Sequence, residues 1–206
     1  MTPFIRLHAI AAPLPDADSD TDSIFPARFL VLTQKAGLGP YAFYETRFDE
    51  AGRERPDFVL HQPRFRGAAI LVAGANFGCG SSREQAPWAL ADLGLRCLIA
   101  PGFGEIFRAN CLNNGLLPIT LPDDEHARAL AAAATGEPFT VDLVERSVTL
   151  PDGSVIGFAI GDRARQSLLE GRDEIERIRQ DQAARITAFE AAQKQRQPWL
   201  YADTAP

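Results

Sequence analysis

The chain reads as an α/β protein with a parallel β-α-β-α-β centre, a following hairpin and a C-terminal helix. Three observations predict this. Short strand-like runs at 68–73, 96–100 and 116–121 alternate with segments whose apolar residues recur at helical spacing. The joints between these segments are short, which implies parallel pairing and right-handed crossovers. Further on, Pro151-Asp152-Gly153-Ser154 separates two more strand-like runs, and Asp-Gly supplies the positive φ that a tight turn requires.

Taken in order, residues 4–12 read as a strand, followed by an acidic turn at 15–22. Residues 24–30 come next, where Pro26 argues against a regular central strand. Residues 33–63 mix Gly37, Gly39, Pro40, Gly52, Pro56 and Pro63 with aromatics and charges, and read as one long decorated loop. The buried strand 68–73 leads into a helix at 83–93 with Ala86, Ala89, Leu90 and Leu93 at helical spacing. A strand at 96–100, a helix from 105 to about 114 stopped by Gly115, and a strand at 116–121 complete the centre. A helix at 123–135 has acids in its first turn and Gly136 after its end. Residues 139–150 and 155–160 form the hairpin. Residues 172–197 are strongly helical, but their apolar stripe of Ile175, Ile178, Ile186 and Phe189 is thin and suits a face laid on a partner. The expected organisation is one compact unit, 1–171, with a helical extension, 172–206.

A chain of 206 residues that is 46% hydrophobic can bury a sizeable core. Its net charge of −6, with no basic stripe, argues against nucleic acid as a partner. The N-terminus lacks the charged and continuous apolar regions of a signal peptide, and no segment reaches the roughly 18 apolar residues of a membrane span, so a cytoplasmic protein is expected. Cys79, Cys97 and Cys111 are separated by 17 and 13 residues and contain no C-x-x-C step. Cys97 and Cys111 read as small buried hydrophobes. The acidic turn lacks the Gly and Glu of a calcium loop in either frame tested. No metal ligand set and no cofactor site are therefore expected in this chain.

Chemistry concentrates in Asn76-Phe77-Gly78-Cys79-Gly80-Ser81-Ser82-Arg83-Glu84-Gln85, which joins a strand to a helix and so presents backbone amides as an anion site. Ser81 with Glu84, and Ser82 with Gln85, fit the capping-box pattern, which would explain both serines without function. Arg83, placed in the first helical turn, opposes the helix dipole by roughly 0.3–1 kcal/mol, a conflict that a bound carboxylate would remove. A phosphate cradle is also open, although the loop has neither the G-K-[ST] ending of a P-loop nor G-x-G-x-x-G spacing. Ser81 lacks G-x-S-x-G surroundings, and of the three histidines, His61 and His126 read as surface residues.

The run from Asn76 to Glu84, followed by Ala86-Pro87-Trp88-Ala89-Leu90, resembles the signature of isopropylmalate dehydratase small subunits. The likeness continues in residues 20–30, 56–60, 99–107 and 114–118, and covers about residues 4 to 200. It implies a swivelling β/β/α domain which, in single-chain aconitases, closes over a [4Fe-4S] cluster held by the other domains. In the dehydratase that domain is a separate chain, assembled with a large cluster-binding subunit as a heterodimer or heterotetramer. The resemblance makes Ser81 the catalytic base and gives Ser82, Arg83 and Arg28 to substrate carboxylates. Asp20 and Asp22 take orienting roles, and Cys79 and Gly80 support the base within its loop. The partner's cluster would be the Lewis acid on the departing hydroxyl. The implied reaction isomerises 2-isopropylmalate to 3-isopropylmalate by dehydration and rehydration in leucine biosynthesis. Asp18, Gln85, the 102–105 run and Arg108 depart from the family pattern, so a related methylmalate/citraconate or dimethylmalate-type substrate stays open. So does a non-catalytic carboxylate- or phosphate-binding module. Residues 33–48 are the segment expected to choose among substrates.

Overall fold

The structure is a computed structural model and describes residues 1–201. Its strands are β1 (Arg6–Leu14), β2 (Ile70–Ala73), β3 (Cys97–Ala100), β4 (Leu117–Thr120), β5 (Pro138–Asp142), β6 (Ser147–Thr149) and β7 (Val155–Gly157). The helices are α1 (Thr21–Ile24), α2 (Tyr44–Arg47), α3 (Gln85–Asp92), α4 (Glu105–Asn113), α5 (Asp123–Ala133), α6 (Asp162–Glu170), α7 (Glu174–Asp181) and α8 (Ala183–Arg196).

The strands form one sheet in the order β4-β3-β2-β1-β5-β6-β7. β1 is its seam. Ala11–Leu14 run parallel to β2, whereas Arg6–Ile10 run antiparallel to β5. The parallel strands are apolar at nearly every position because helices cover both faces. With a side-chain period of two, Ile70, Val72, Cys97 and Ile99 meet Ala129 and Ala133 of α5 on one face. On the other, Leu71, Ala73, Leu98 and Ala100 meet Ala86, Ala89 and Leu90 of α3 and Phe107 and Cys111 of α4. Cys97 and Cys111 are thus buried core residues, as their sequence context predicts.

Several elements differ from the sequence expectation, each for a local reason. Residues 139–150 are two strands, because the Asp142 carboxylate accepts the N–H groups of Val144 and Glu145 at 2.9 Å and Arg146 adopts φ 54°. The antiparallel half is therefore a three-stranded meander, with the anticipated Asp-Gly turn joining β6 to β7. Residues 33–63 contain no strand but fold into α2 and short 3-10 turns over Leu38, Ala42 and Phe43 of the core. The buried Arg47 fixes this segment by donating to the carbonyls of Gly39 and Ala42, each at 3.0 Å. α6 carries no periodic apolar signal, since Leu168 is its one buried side chain among those described. The C-terminal helix breaks at Gln182, which leaves helical geometry at φ −112° and ψ 12°. α7 begins in a capping box between Asp173 and Glu176. The histidines also depart from a surface reading: His126 is buried, with Nε2 2.8 Å from the Ala73 carbonyl. Half-buried His61 accepts from Arg47 Nε at Nε2 and so donates from Nδ1 to the Arg55 carbonyl.

Candidate active site

The loops leaving β1, β2 and β3 meet at the carboxyl edge of the parallel strands, where open α/β sheets place their ligands. Residues 74–84 lie between the other two. Asp18 and Gly78 donate backbone N–H groups to Ala75 and Ser19, and Phe77 exchanges backbone hydrogen bonds with the 102–104 segment. Gly78 is required here: it has φ 72°, and a Cβ would lie 2.2 Å from the Phe107 ring. Gly80, at φ 90°, turns the chain so that Ser81 emerges exposed beside α1.

Ser81 meets a residue that the sequence reading passes over. Thr21, buried between the two acids of the Asp20-Thr21-Asp22 run, places its hydroxyl 3.2 Å from Ser81 Oγ and 3.2 Å from the Ser81 carbonyl. A small hydroxyl between two carboxylates gives no periodic signal; its place inside the motif was the available clue. Asp22 forms an ion pair with Arg83. Asp20 instead caps α1, its Oδ1 accepting from Ser23 N–H at 2.7 Å. That backbone hydrogen bond, more than any other influence, holds the Asp20 carboxyl below the ordinary carboxylate range.

The capping alternative for the serines does not hold. α3 starts at Gln85 with Glu84 as N-cap and no side-chain cap, so neither Ser81 nor Ser82 caps it. Arg83 precedes the helix, and Asp22 rather than a helix position answers its charge. Pro87 lies in the first turn, where no backbone N–H is needed. Among the described residues, the N–H groups of Gly80, Ser81 and Ser82 meet no acceptor in the chain, while Arg83 N–H donates to the Ser81 carbonyl. Three unpaired donors and a half-buried guanidinium converge on one exposed loop, an arrangement suited to an anion.

Cys79 contacts the Asp18 carbonyl through Sγ at 3.6 Å. Desolvation, followed by the charges of Asp18 and Asp20, pushes its thiol pKa up. Asp18 accepts from Asn76 Nδ2 at 2.7 Å, so an acceptor at this position retains the loop's hydrogen bond. The structure does not bring Arg28 to this group. It pairs with Glu45 at 3.1 Å and lies over Phe29 and Tyr44, in a cleft of about 530 Å³ that Phe48 and Arg55 also line. Among the described residues no three His, Cys, Asp or Glu side chains converge to hold a metal, and no helix is long and apolar enough to cross a membrane.

This mixed sheet, carrying an exposed serine beside a paired arginine at the carboxyl edge of its parallel strands, is of the aconitase C-terminal-domain type, as its match to that family's model shows. The aconitase C-terminal domain matches residues 1–124 and LeuD_N matches 119–162. The C-terminal domain of the 3-isopropylmalate dehydratase small subunit matches 181–203. The chain is 50% identical over 201 residues to the 3-isopropylmalate dehydratase small subunit of Rhodospirillum centenum, covering 97% of this chain and 98% of that one. It is 47% identical over 202 residues to the small subunit of Dinoroseobacter shibae, covering 97% and 100%. The crystal structure of 3-isopropylmalate dehydratase (leuD) from Methanocaldococcus jannaschii superposes with a TM-score of 0.65 at 26% identity, covering 89% of this chain and 99% of that one. The chain belongs to the 3-isopropylmalate dehydratase small-subunit family, a family of hydro-lyases within the aconitase superfamily.

Proposed function

We propose that this chain supplies the base and the carboxylate-binding half of a hydro-lyase that interconverts 2-isopropylmalate and 3-isopropylmalate in leucine biosynthesis. The observation that carries this reading is the Thr21 hydroxyl 3.2 Å from Ser81 Oγ, in the loop where Arg83 is held by Asp22. Ser81 Oγ, as the alkoxide, takes the proton from the carbon beside the carbinol, the C–H electron pair becomes the alkene, and the C–O bond breaks, the hydroxide leaving to be protonated to water by an acid outside this chain. Rehydration in the opposite sense returns the proton. A serine needs positive charge and donors nearby to act as a base. Arg83 supplies the first, and Thr21 donates to Ser81 Oγ when that oxygen is anionic. Asp22 engages one nitrogen of the Arg83 fork, leaving other N–H donors for a substrate carboxylate, which Ser82 and the free amides of the loop also hold.

The residues of this chain do not fit a [4Fe-4S] cluster, because Cys97 and Cys111 are buried in the core and only Cys79 lies near the loop. We assign the cluster to a large partner subunit, in a heterodimer or heterotetramer, and the chain to the cytoplasm, a setting that its three free thiols support. The test is co-expression with the large subunit, anaerobic cluster reconstitution, and turnover across a panel of alkyl-substituted malates. Turnover is expected to be fastest on 2-isopropylmalate and lost in Ser81→Ala with assembly intact. Full activity in Ser81→Ala would overturn the base assignment, and preference for a methylmalate would reassign the substrate.

A further inference from the structure

Asn114 follows α4 and uses its whole side-chain amide. Its Oδ1 accepts from Trp88 Nε1 at 2.9 Å and from Lys35 Nζ at 3.0 Å. Its Nδ2 donates to Glu84 Oε1 at 3.0 Å and to the Asn110 carbonyl at 2.8 Å. An Asn amide offers two acceptor and two donor sites, and all four are filled. Two donors on the oxygen side determine which way the amide faces. The Lys35 ammonium also lies 5.0 Å from the Trp88 ring centroid, which clamps that side further. The amide is therefore fixed with its N–H groups toward Glu84, the residue that follows Arg83 and opens α3.

We propose that Asn114 is a positioning residue for the Ser81–Arg83 loop, acting through Glu84, and that Lys35 and Trp88 set its orientation. The inference rests on the active-site reading given above for the role of that loop. Glu84 places its carboxylate one residue from the guanidinium that the substrate needs. Anchored to Asn114, it ties the start of α3, and with it the preceding Ser81–Arg83 run, to the end of α4. Lys35 belongs to the 33–48 segment, so the same amide joins that segment to the loop bearing the base.

Polarity reversal tests this. Asn114→Asp keeps the acceptors for Trp88 and Lys35 but removes the donors to Glu84 and to the Asn110 carbonyl and sets two carboxylates face to face. In the complex with the large subunit it is expected to lower kcat/KM for 2-isopropylmalate about tenfold or more, since small misplacements of reacting groups are costly. Asn114→Asp combined with Glu84→Gln restores a donor–acceptor pair in the opposite sense and is expected to regain most of that loss. Glu84→Ala, which keeps the Asn114 side chain, is expected to lose activity like Asn114→Asp with no more loss of thermal midpoint than one hydrogen bond accounts for. Tryptic cleavage after Arg83 in the full chain alone, each rate taken relative to the unfolded peptide of the same sequence because residue 84 follows the scissile bond, gives a readout independent of turnover: faster in Asn114→Asp and in Glu84→Ala, restored in the double variant. Wild-type-like kcat/KM and cleavage in both single variants, or a folded double variant as impaired as Asn114→Asp, overturns the proposal. Absence of turnover in the wild-type complex would count against the proposed function alone, because the cleavage pattern still decides the role of Asn114.

Discussion

Replacing Thr21 with Val removes one hydroxyl and almost no volume from a buried site, so the hydrogen bond to Ser81 can be separated from packing. The Ser81 carbonyl keeps its backbone donor from Arg83 at 2.9 Å, and no buried acceptor is orphaned. The stability cost is then that of an ordinary hydrogen bond, about 0.5–1.5 kcal/mol. Catalysis loses only what the bond gains as Ser81 Oγ becomes anionic. A bond to a charged group is worth about 1.5–3 kcal/mol against about 1 for a neutral one, a difference of roughly 0.5–2 kcal/mol. At 1.36 kcal/mol per decade this lowers kcat by roughly 2- to 30-fold. The assay is dehydration of 2-isopropylmalate by the reconstituted complex, followed by the ultraviolet absorbance of the conjugated alkene diacid. Thr21→Ser is expected to keep most of the activity. An unchanged kcat in Thr21→Val, or a loss confined to KM, would refute the donor role.

Arg83→Lys is expected to raise KM about tenfold or more with a smaller effect on kcat, because a point charge replaces a planar fork; steady-state kinetics check this. Asp20→Ala removes the α1 N-cap and is expected to cost about 1 kcal/mol at pH 7 in urea titrations, with Asp20→Asn intermediate because it keeps the acceptor and loses the charge. Because the folded Asp20 pKa lies below its ordinary value of 3.8, the charged cap contributes fully above that value and fades as pH falls through the lowered one. The gap between wild type and Asp20→Ala should therefore narrow in acid. Truncation after Gly171 is expected to weaken assembly with the large subunit more than it shifts the denaturation midpoint of the isolated chain. α7 and α8 pack chiefly on one another and on the turn Pro198–Tyr201, while Ile175 and Phe189 stay exposed. Equal losses in both measurements would place the extension in the core.

The centre of the fold was legible because strands covered on both faces must be continuously apolar, and their joining helices show a 3.6-residue period. β2, α3, β3, α4, β4 and α5 fall within two residues of the expected ends. α6 was not legible, since a helix that buries only Leu168 has no face to advertise. The break in residues 139–150 rests on Asp142 turning back on its own backbone and on Arg146 taking a left-handed conformation. His126 shows the opposite failure: a polar residue on an amphipathic helix is buried because a carbonyl at the end of β2 receives it.

At the site, the sequence alone determined the loop. Gly78 and Gly80 set its course, Ser81, Ser82 and Arg83 give it anion-binding chemistry, and the absence of a C-x-x-C step set the cysteines apart from a cluster-ligand pattern. Only the tertiary structure decided who faces it. Thr21 and Asp22 are about sixty residues from Ser81 and Arg83, and meet them because β1 and β2 run parallel and side by side, bringing their carboxyl ends to one edge. Arg28, six residues beyond Asp22, is carried by the next turn to Glu45 and a different cleft. Local sequence specifies what a segment can do, whereas strand order and direction specify what it does it with.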